Sequence, residues 1–278
     1  FEITSCNHYN VVKSIAIRIF HANIMNSIRY RFILFFHALR KYFVSIQISN
    51  NLILRKNNMP ALVTNSKIWG EMFGTKEMHH VFSDESTIQL YLEVEAALAR
   101  SQSKLGIIPK EAGEKITSAA SLDLINWDIL KQRTSIVGYP ILPLVEQLSL
   151  SVEDGYGQYC HWGATTQDIM DTADVLQIRK GLDLLSKDLD SIANALSKIV
   201  KDHINTPMAG RTHLQHALPV PFGYKAATWL SSIDRHIKRL EEIKSRIFNV
   251  SFFGAAGTLA SLGEVDGLNT QANLAKEL

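Results

Sequence analysis

A regular repeat of apolar residues within positions 168–203 is the sequence feature that most limits how this chain can fold. Its members are Ile178, Leu182, Leu185, Leu189, Ile192, Leu196 and Ile199, separated by four and three residues in alternation. A sustained period of 3.5 residues is typical of a helix that packs along its length against near-parallel neighbours. The repeat therefore predicts a bundle of long helices, and at 1.5 Å per residue this one is about 54 Å long.

A second long helix is predicted to begin near Pro221. Its apolar stripe consists of Leu230, Ile233, Ile237, Leu240 and Ile247, and the segment "DRHIKRLEEIKSR" supplies its polar face. Fewer than 20 residues join the two long helices, so we expect a loop between antiparallel neighbours. No convincing alternating strand pattern is found anywhere in the chain. The predicted fold class is therefore all-α, a long-helix bundle.

The segment before the repeat also carries helix signals. Ser83 is a suitable N-cap, and Asp84 and Glu85 lie in the first turn, where the positive end of a helix favours acidic residues. Gly106 can end this helix, and Pro109 suits the first turn of the next one. Residues at helical spacing between these signals are Ile88, Leu92, Glu95, Ala96 and Ala99. The segment "GYPILPLVEQLSLSV" then begins as a loop and becomes apolar at a helical period.

Residues 1–58 differ in composition from the rest of the chain. They hold eight lysine and arginine residues and one acidic residue, Glu2, whereas the remainder holds 21 basic and 26 acidic residues. Three interpretations fit the segment: a mitochondrial presequence, an interfacial amphipathic helix, and translated non-coding DNA ahead of a true start at Met59. We expect residues 1–58 to lie outside the fold. Residues 59–160 are expected to form an N-terminal helical domain, and residues 161–278 the first part of a central bundle.

Charge and cysteine content exclude several classes of function. The acidic balance of residues 59–278 does not suggest binding to nucleic acid. No apolar run approaches the roughly 20 residues that a membrane span needs. Two cysteines, Cys6 and Cys160, are too few for a disulfide framework, so the cytoplasm is the predicted compartment. A mitochondrial location follows only if residues 1–58 are a real presequence.

A first polar segment, "HWGATTQDIMDT" at 161–172, lies where the first long helix begins. Free backbone N–H groups and the positive dipole end make a helix start an anion site, and the hydroxyls of Thr165 and Thr166 add donors. A carboxylate or phosphate of a substrate would fit there. The alternative is structural, because Thr166 or Asp168 alone would satisfy the helix start as a cap.

A second polar segment, "GRTHLQHALP" at 210–219, lies before the second long helix. Its polar side chains are Arg211, Thr212, His213, Gln215 and His216. A histidine between helices can act as a general acid or base near neutral pH. His213 and His216 have no third and fourth ligand beside them, so the segment does not predict a metal site. Capping and exposure to solvent are the alternatives for either histidine.

A third segment, "FFGAAGTLASLG" at 252–263, is rich in small residues. Gly254, Gly257 and Gly263 would let backbones approach closely, either in helix packing or around a ligand. The segment does not fit a phosphate-binding loop, because no lysine follows in the required place.

The segments "HWGATTQDIMDTA", "MAGRTHLQHALPVPFGYKAA" and "GAAGTLASLG" occur in an order and spacing that resembles the fumarase/aspartase superfamily. The resemblance runs from about Met59 to Leu278. It is closest to the branch that holds 3-carboxy-cis,cis-muconate cycloisomerase and adenylosuccinate lyase, and "GYPILPLVEQL" is similar to the cycloisomerase-like members.

The resemblance implies a homotetramer built on a central bundle of long helices, with each active site assembled from three subunits. Such enzymes remove a proton next to a carboxylate, pass through a carbanion stabilised as an aci-carboxylate, and expel a leaving group. The cycloisomerases instead close a substrate carboxylate onto a double bond to form a lactone. The resemblance implies no metal and no organic cofactor, and a small polycarboxylate as the substrate.

Carried over by motif, the resemblance assigns roles to single residues. It implies His213 as the general acid or its hydrogen-bonded helper. The substrate-binding residues that it implies are Thr165, Thr166, Asp168, Arg211, Thr212 and Gln215. His161 and Gln167 are further candidates in the first segment.

Two departures from the family pattern affect these expectations. Some bacterial cycloisomerases lack a histidine at the position of His213, so its presence favours general lyase chemistry. The catalytic serine loop, a Ser-Ser-x-Met-Pro-x-Lys-x-Asn pattern, does not occur in this sequence. We therefore expect a C-terminally truncated bundle that is inactive alone. The alternatives are an adenylosuccinate lyase-like enzyme and a non-catalytic helical assembly subunit.

Overall fold

The computed structural model of this protein describes Ser66 and residues 68–278, so the interpretations of residues 1–58 lie outside the described part of the chain. Eight α-helices, one β-hairpin and three short 3-10 helices make up that part. The α-helices and strands are α1 (Lys76–Val81), α2 (Asp84–Lys104), α3 (Lys110–Ala119), α4 (Trp127–Val137), α5 (Ile141–Ser151), α6 (Thr166–Asp202), β1 (Pro207–Thr212), β2 (Gln215–Pro221), α7 (Phe222–Ile247) and α8 (Glu264–Glu277). The predicted helical bundle class is confirmed.

The two long helices, α6 and α7, pack against each other in antiparallel directions, as predicted. At one end, the backbone N–H of Gly223 donates to the carbonyl of His203 at 2.9 Å, which joins the start of α7 to the end of α6. At the other end, the Thr172 hydroxyl donates to the carbonyl of Ser251 at 3.0 Å. The predicted stripe of α7 is half-buried against α6.

The connection between α6 and α7 is a β-hairpin and not the predicted loop. Strands β1 and β2 are antiparallel, with Thr212 opposite Gln215, so His213 and Leu214 form the turn. The prediction that no strand occurs was wrong because most residues of both strands are exposed, so no alternation of apolar and polar residues marks them. Gly210 permits the close pairing, since a Cβ there would lie 2.5 Å from the Leu218 carbonyl oxygen.

Helix α2 lies at the centre of the described fold. Its boundaries follow the predicted signals, because the Ser83 hydroxyl accepts the N–H of Ser86 at 3.2 Å and Gly106 has a φ of +72° just beyond the last turn. One face of α2 joins a core with α3, α5 and the first turns of α6. Another face, at Ala97 and Leu98, packs on Phe252, a fully buried side chain of the segment after α7. Helix α2 therefore packs against both the start of α6 and the segment after α7.

The part of α6 after Gly181 is less well covered than its start. No residue of α6 after Gly181 is fully buried in the described chain. Ile178, Leu185 and Ile192 are 42%, 44% and 44% exposed, and because they are spaced by seven they lie on one face of the helix. None of the described helices is both long and apolar enough to cross a lipid bilayer.

Candidate active site

Asp168, the third residue of α6, hydrogen-bonds to backbone groups at the start of the helix. Its carboxylate accepts backbone N–H groups from Thr165 at 3.0 Å, Phe253 at 3.0 Å and Gly254 at 2.9 Å. Asp168 is 3% exposed. A negative charge is favoured there because the first turn is the positive end of the helix dipole.

These bonds give Asp168 a structural role at the helix start, which is the alternative that the sequence left open beside contact with substrate. Both carboxylate oxygens accept hydrogen bonds from the protein, and the side chain is almost fully buried, so little of it is open to a ligand within the single chain. In this structure Asp168 ties the segment after α7 to the start of α6.

The segment after α7, residues 248–263, lies directly against the first polar segment. A Cβ on Gly163 would lie 2.7 Å from the Leu262 side chain, and one on Gly254 would lie 3.3 Å from the Gly163 carbonyl oxygen. The close approach predicted for the third segment is thus confirmed at Gly254. The first and third sequence motifs form one structural unit.

The two threonines at the start of α6 are half-buried, and Thr165 is the N-cap of the helix. The N–H of Thr165 donates to the Asp168 carboxylate and the N–H of Asp168 to the Thr165 carbonyl, so the N–H groups of Thr166 and Gln167 are the ones left at this helix start. Gln167 is exposed, and its side-chain amide donates to Asp171 at 2.6 Å. Thr165 and Thr166 are therefore placed where an anion could accept hydrogen bonds from hydroxyl and backbone groups.

His161 stands four residues before this N-cap and makes an ion pair with a buried carboxylate. Its Nδ1 lies 2.6 Å from Oε1 of Glu95 in α2, which is 1% exposed. Burial acts to lower the pKa of His161, but the charge and hydrogen bond of Glu95, with the charge of Asp168, outweigh it and raise the pKa above its usual value. The pairing with Glu95 therefore favours the protonated form of the ring, beside the start of α6.

Cys160, the neighbour of His161, is also affected by burial and by Glu95, but in its case they favour the neutral form. Burial, with the negative charge of Glu95, raises the pKa of its thiol to about 12. A thiol with that pKa is protonated at physiological pH and is a poor nucleophile. Cys160 is therefore a packing residue of this site.

The second polar segment lies on the hairpin. Arg211, Thr212, His213 and Gln215 are all exposed, and His213 occupies the first position of the turn. A cavity of about 410 Å³ opens between the hairpin and the first turns of α7. The polar side chains that line it include Arg211, Tyr224, Lys225 and Thr228. Two cationic side chains, Arg211 and Lys225, make this cavity suitable for an anion.

The single chain does not bring the two polar segments together. Thr165 lies at the start of α6, and the hairpin follows its last residue, Asp202. The 37 residues of α6 separate them by about 55 Å along the helix axis. Thr165, Thr166 and His161 thus form one candidate site, and Arg211, Thr212, His213 and Gln215 form another.

Sequence reasoning missed two buried side chains of α2 that support the first site. Glu95 pairs with His161, and Gln102 donates its Nε2–H to the Trp162 carbonyl at 2.7 Å. The one available signal was the presence of Glu95 at an apolar position of the helical repeat. In the described part of the chain, no group of three His, Cys, Asp or Glu side chains is arranged to hold a metal ion.

Comparison with known proteins identifies the family. Residues 70–278 match the family described as "Lyase". Trans-aconitate decarboxylase 1 of Mycosarcoma maydis is 45% identical over 225 residues, which cover 81% of this chain and 45% of that protein. The chain spans about half the length of the curated relatives it matches.

Two solved structures are also similar. Fumarate lyase from Mesorhizobium sp. BNC1 is 57% identical with a TM-score of 0.70, over 74% of this chain and 48% of that one. The 3-carboxy-cis,cis-muconate lactonizing enzyme from Pseudomonas putida is 37% identical with a TM-score of 0.72, over 76% of this chain and 48% of that one. The chain belongs to the fumarase/aspartase superfamily of lyases.

Proposed function

We propose that this chain contributes substrate binding and general acid catalysis to a lyase or cycloisomerase that acts on a small, 3-carboxy-cis,cis-muconate-like polycarboxylate. The observation that carries the proposal is the start of α6, where the half-buried Thr165 and Thr166 lie at the positive end of the helix and His161, paired with Glu95, stands four residues before the N-cap. All of these groups favour carboxylates. Trans-aconitate and 3-carboxy-cis,cis-muconate, which appear in the names of similar proteins, are both unsaturated polycarboxylates.

The proposed chemistry needs donors that bind the reacting carboxylate more tightly as its charge grows. Removal of the neighbouring proton turns that carboxylate into an aci-carboxylate with additional negative charge. Fixed N–H and O–H donors at the start of α6 would stabilise this species more than the substrate, which is how they would lower the barrier. His213 is the proposed general acid or its hydrogen-bonded helper, and we propose that a serine base comes from outside this sequence.

We propose that the active sites are shared within a homotetramer. Support comes from the roughly 55 Å between the two polar segments, which one chain cannot close. The exposed row Ile178, Leu185 and Ile192 supports it as well, because an apolar row at a spacing of seven is suited to packing against another helix. In this arrangement the hairpin of one subunit would meet the start of α6 of another.

An adenylosuccinate lyase-like activity is the second candidate. The cavity beside the hairpin favours it, because Arg211 and Lys225 are two cations that a nucleotide phosphate could engage. A non-catalytic assembly subunit is the third candidate, and it predicts that neither kind of anion binds.

Calorimetric titration of the purified protein with two probes separates these candidates. Tricarballylate, a tricarboxylate, represents the small polycarboxylate, and AMP represents the nucleotide. We expect tricarballylate to bind more tightly, and we expect Thr166→Val, at the start of α6, to weaken it about tenfold. Thr134→Val, at a half-buried threonine of α4 outside both polar segments, is the matched control and should leave tricarballylate affinity within twofold. Tighter binding of AMP would favour the second candidate, and binding of neither ligand would refute the proposed function.

Turnover tests the catalytic part of the proposal. The 278-residue polypeptide is expected to be inactive with 3-carboxy-cis,cis-muconate and trans-aconitate, whereas a version with the serine loop is expected to be active. In that version His213→Ala should lower kcat about 100-fold, and His216→Ala should change it little. Equal effects of the two substitutions would contradict the role of His213.

The cytoplasm is the proposed compartment. Cys160 is a free thiol in the described part of the chain, which is compatible with a reducing environment. Fractionation of cells that express a tagged protein tests this, and recovery in the mitochondrial fraction would contradict it.

A further inference from the structure

Glu95 is a fully buried carboxylate that lies outside the three polar sequence motifs. It stands on α2 between the buried residues Val94 and Ala96. A buried carboxylate is costly unless it is paired and fully hydrogen-bonded. Oε1 pairs with Nδ1 of His161 at 2.6 Å, but Oε2 has no hydrogen-bond partner among the described residues. An incompletely satisfied buried charge is weak support for stability and suggests a functional reason for its presence.

Helix α2 holds the His161 segment at two points. Glu95 binds the ring of His161, and Gln102, seven residues further along the same face of α2, binds the carbonyl of Trp162. Between these anchors His161 has a φ of +59°, in the left-handed region that residues with side chains seldom adopt. Such conformations persist where surrounding contacts enforce them, and they cluster at functional sites.

The pairing fixes how the imidazole can act. With Nδ1 bound to Glu95, Nε2 is the ring nitrogen that remains for a second hydrogen-bond partner. A carboxylate on one ring nitrogen sets the orientation and tautomer of a histidine and stabilises its protonated form. The other titratable groups near the ring are Asp168 of α6 and the thiol of Cys160. The oxygens of Asp168 are occupied by backbone N–H groups, so Asp168 adds charge without competing for the ring.

We infer that Glu95 is a positioning residue, which holds the His161 ring so that its Nε2–H donates to an anionic group bound at the start of α6. The inference rests on the proposed function, because it requires a carboxylate of the substrate at that helix start. Helix α2 thereby becomes part of the site, although none of its residues lies in the sequence motifs.

The test combines a titration of His161 with a binding measurement. In protein labelled with ¹⁵N-histidine, NMR should show that Glu95→Gln lowers the pKa of His161. At pH 7, calorimetry should show that the same substitution weakens tricarballylate binding about tenfold. Glu93→Gln is the matched control, since Glu93 lies on the same helix but is 45% exposed and pairs with Arg100. It should leave the titration unchanged and the affinity within twofold.

A double variant keeps the test decisive if Glu95→Gln alone does not fold. Glu95→Gln with His161→Gln replaces the ion pair by two neutral amides, and its affinity for tricarballylate should also be about tenfold below the wild type. Equal affinity in the wild type and in these variants would refute the role of Glu95. An unchanged His161 titration in Glu95→Gln would do the same. Absence of tricarballylate binding to the wild type would instead refute the proposed function.

Discussion

Replacement of Asp168 by asparagine tests how the start of α6 is built. Asp168 accepts three backbone N–H groups, and two of them belong to the segment after α7. Asparagine removes the charge and puts an NH₂ group where one oxygen now accepts a hydrogen bond. A hydrogen bond to a charged group contributes about 1.5–3 kcal/mol, and an orphaned buried donor costs a similar amount. We expect the free energy of unfolding to fall by about 3 kcal/mol.

The assay is urea unfolding followed by circular dichroism, with a thermal melt as a second measurement. For a domain of this size, a loss of about 3 kcal/mol lowers Tm by roughly 6–12 °C. Asp171→Asn is the matched control, because Asp171 lies one turn further along and its hydrogen bond is with the exposed side chain of Gln167. Its effect should stay within about 0.5 kcal/mol. A Tm for Asp168→Asn within 2 °C of the wild type, or an equal loss in the control, would refute this account.

Two further predictions concern the same region. Gly254→Ala should destabilise the fold by about 2 kcal/mol, because φ is +72° and the new Cβ would lie 3.3 Å from the Gly163 carbonyl oxygen. The control Gly257→Ala, with a φ of +73° but nothing within 4 Å of the new Cβ, should cost about 1 kcal/mol. Equal losses of unfolding free energy in urea would contradict the role of the contact. Because Glu95 helps raise the pKa of His161 in the folded state, the resulting stability is fully present below the unfolded pKa of about 6.5 and is lost as pH rises through the raised value. From pH 6 to pH 8, the free energy of unfolding should fall more in the wild type than in Glu95→Gln. Equal falls in the two proteins would count against the pairing.

The long helices could be predicted because their signals are local. The 3.5-residue repeat placed α6, and Ser83 and Gly106 marked the ends of α2, since caps and periodicity act within a few residues. Helices α4 and α8 were not predicted, although Asn126 caps α4 and Gly138 ends it with a φ of +97°. Those helices are short and carry no long apolar repeat, so their caps alone did not separate them from loops.

The hairpin shows a different limit. Strand prediction depends on alternation between a buried and an exposed face, and this hairpin is largely exposed on both faces in one chain.

The candidate site shows a third limit. Glu95 and His161 are 66 residues apart in sequence, and their pairing follows from the packing of α2 behind α6. Helical spacing put Glu95 on the buried face, but no local signal names its partner.

The distribution of exposed side chains connects the fold with the proposed assembly. His213 and Leu214 form the tip of the hairpin, and Leu214 is 93% exposed with a φ of +57°. An apolar residue at a strained and exposed turn gains nothing within its own chain. At the other end of α6, the site around Thr165 has hydrogen-bond donors and the His161 ring but no described residue of the second motif beside it. The proposed tetramer accounts for both ends, because one contact between subunits would cover Leu214 and bring His213 to a carboxylate held at the start of α6.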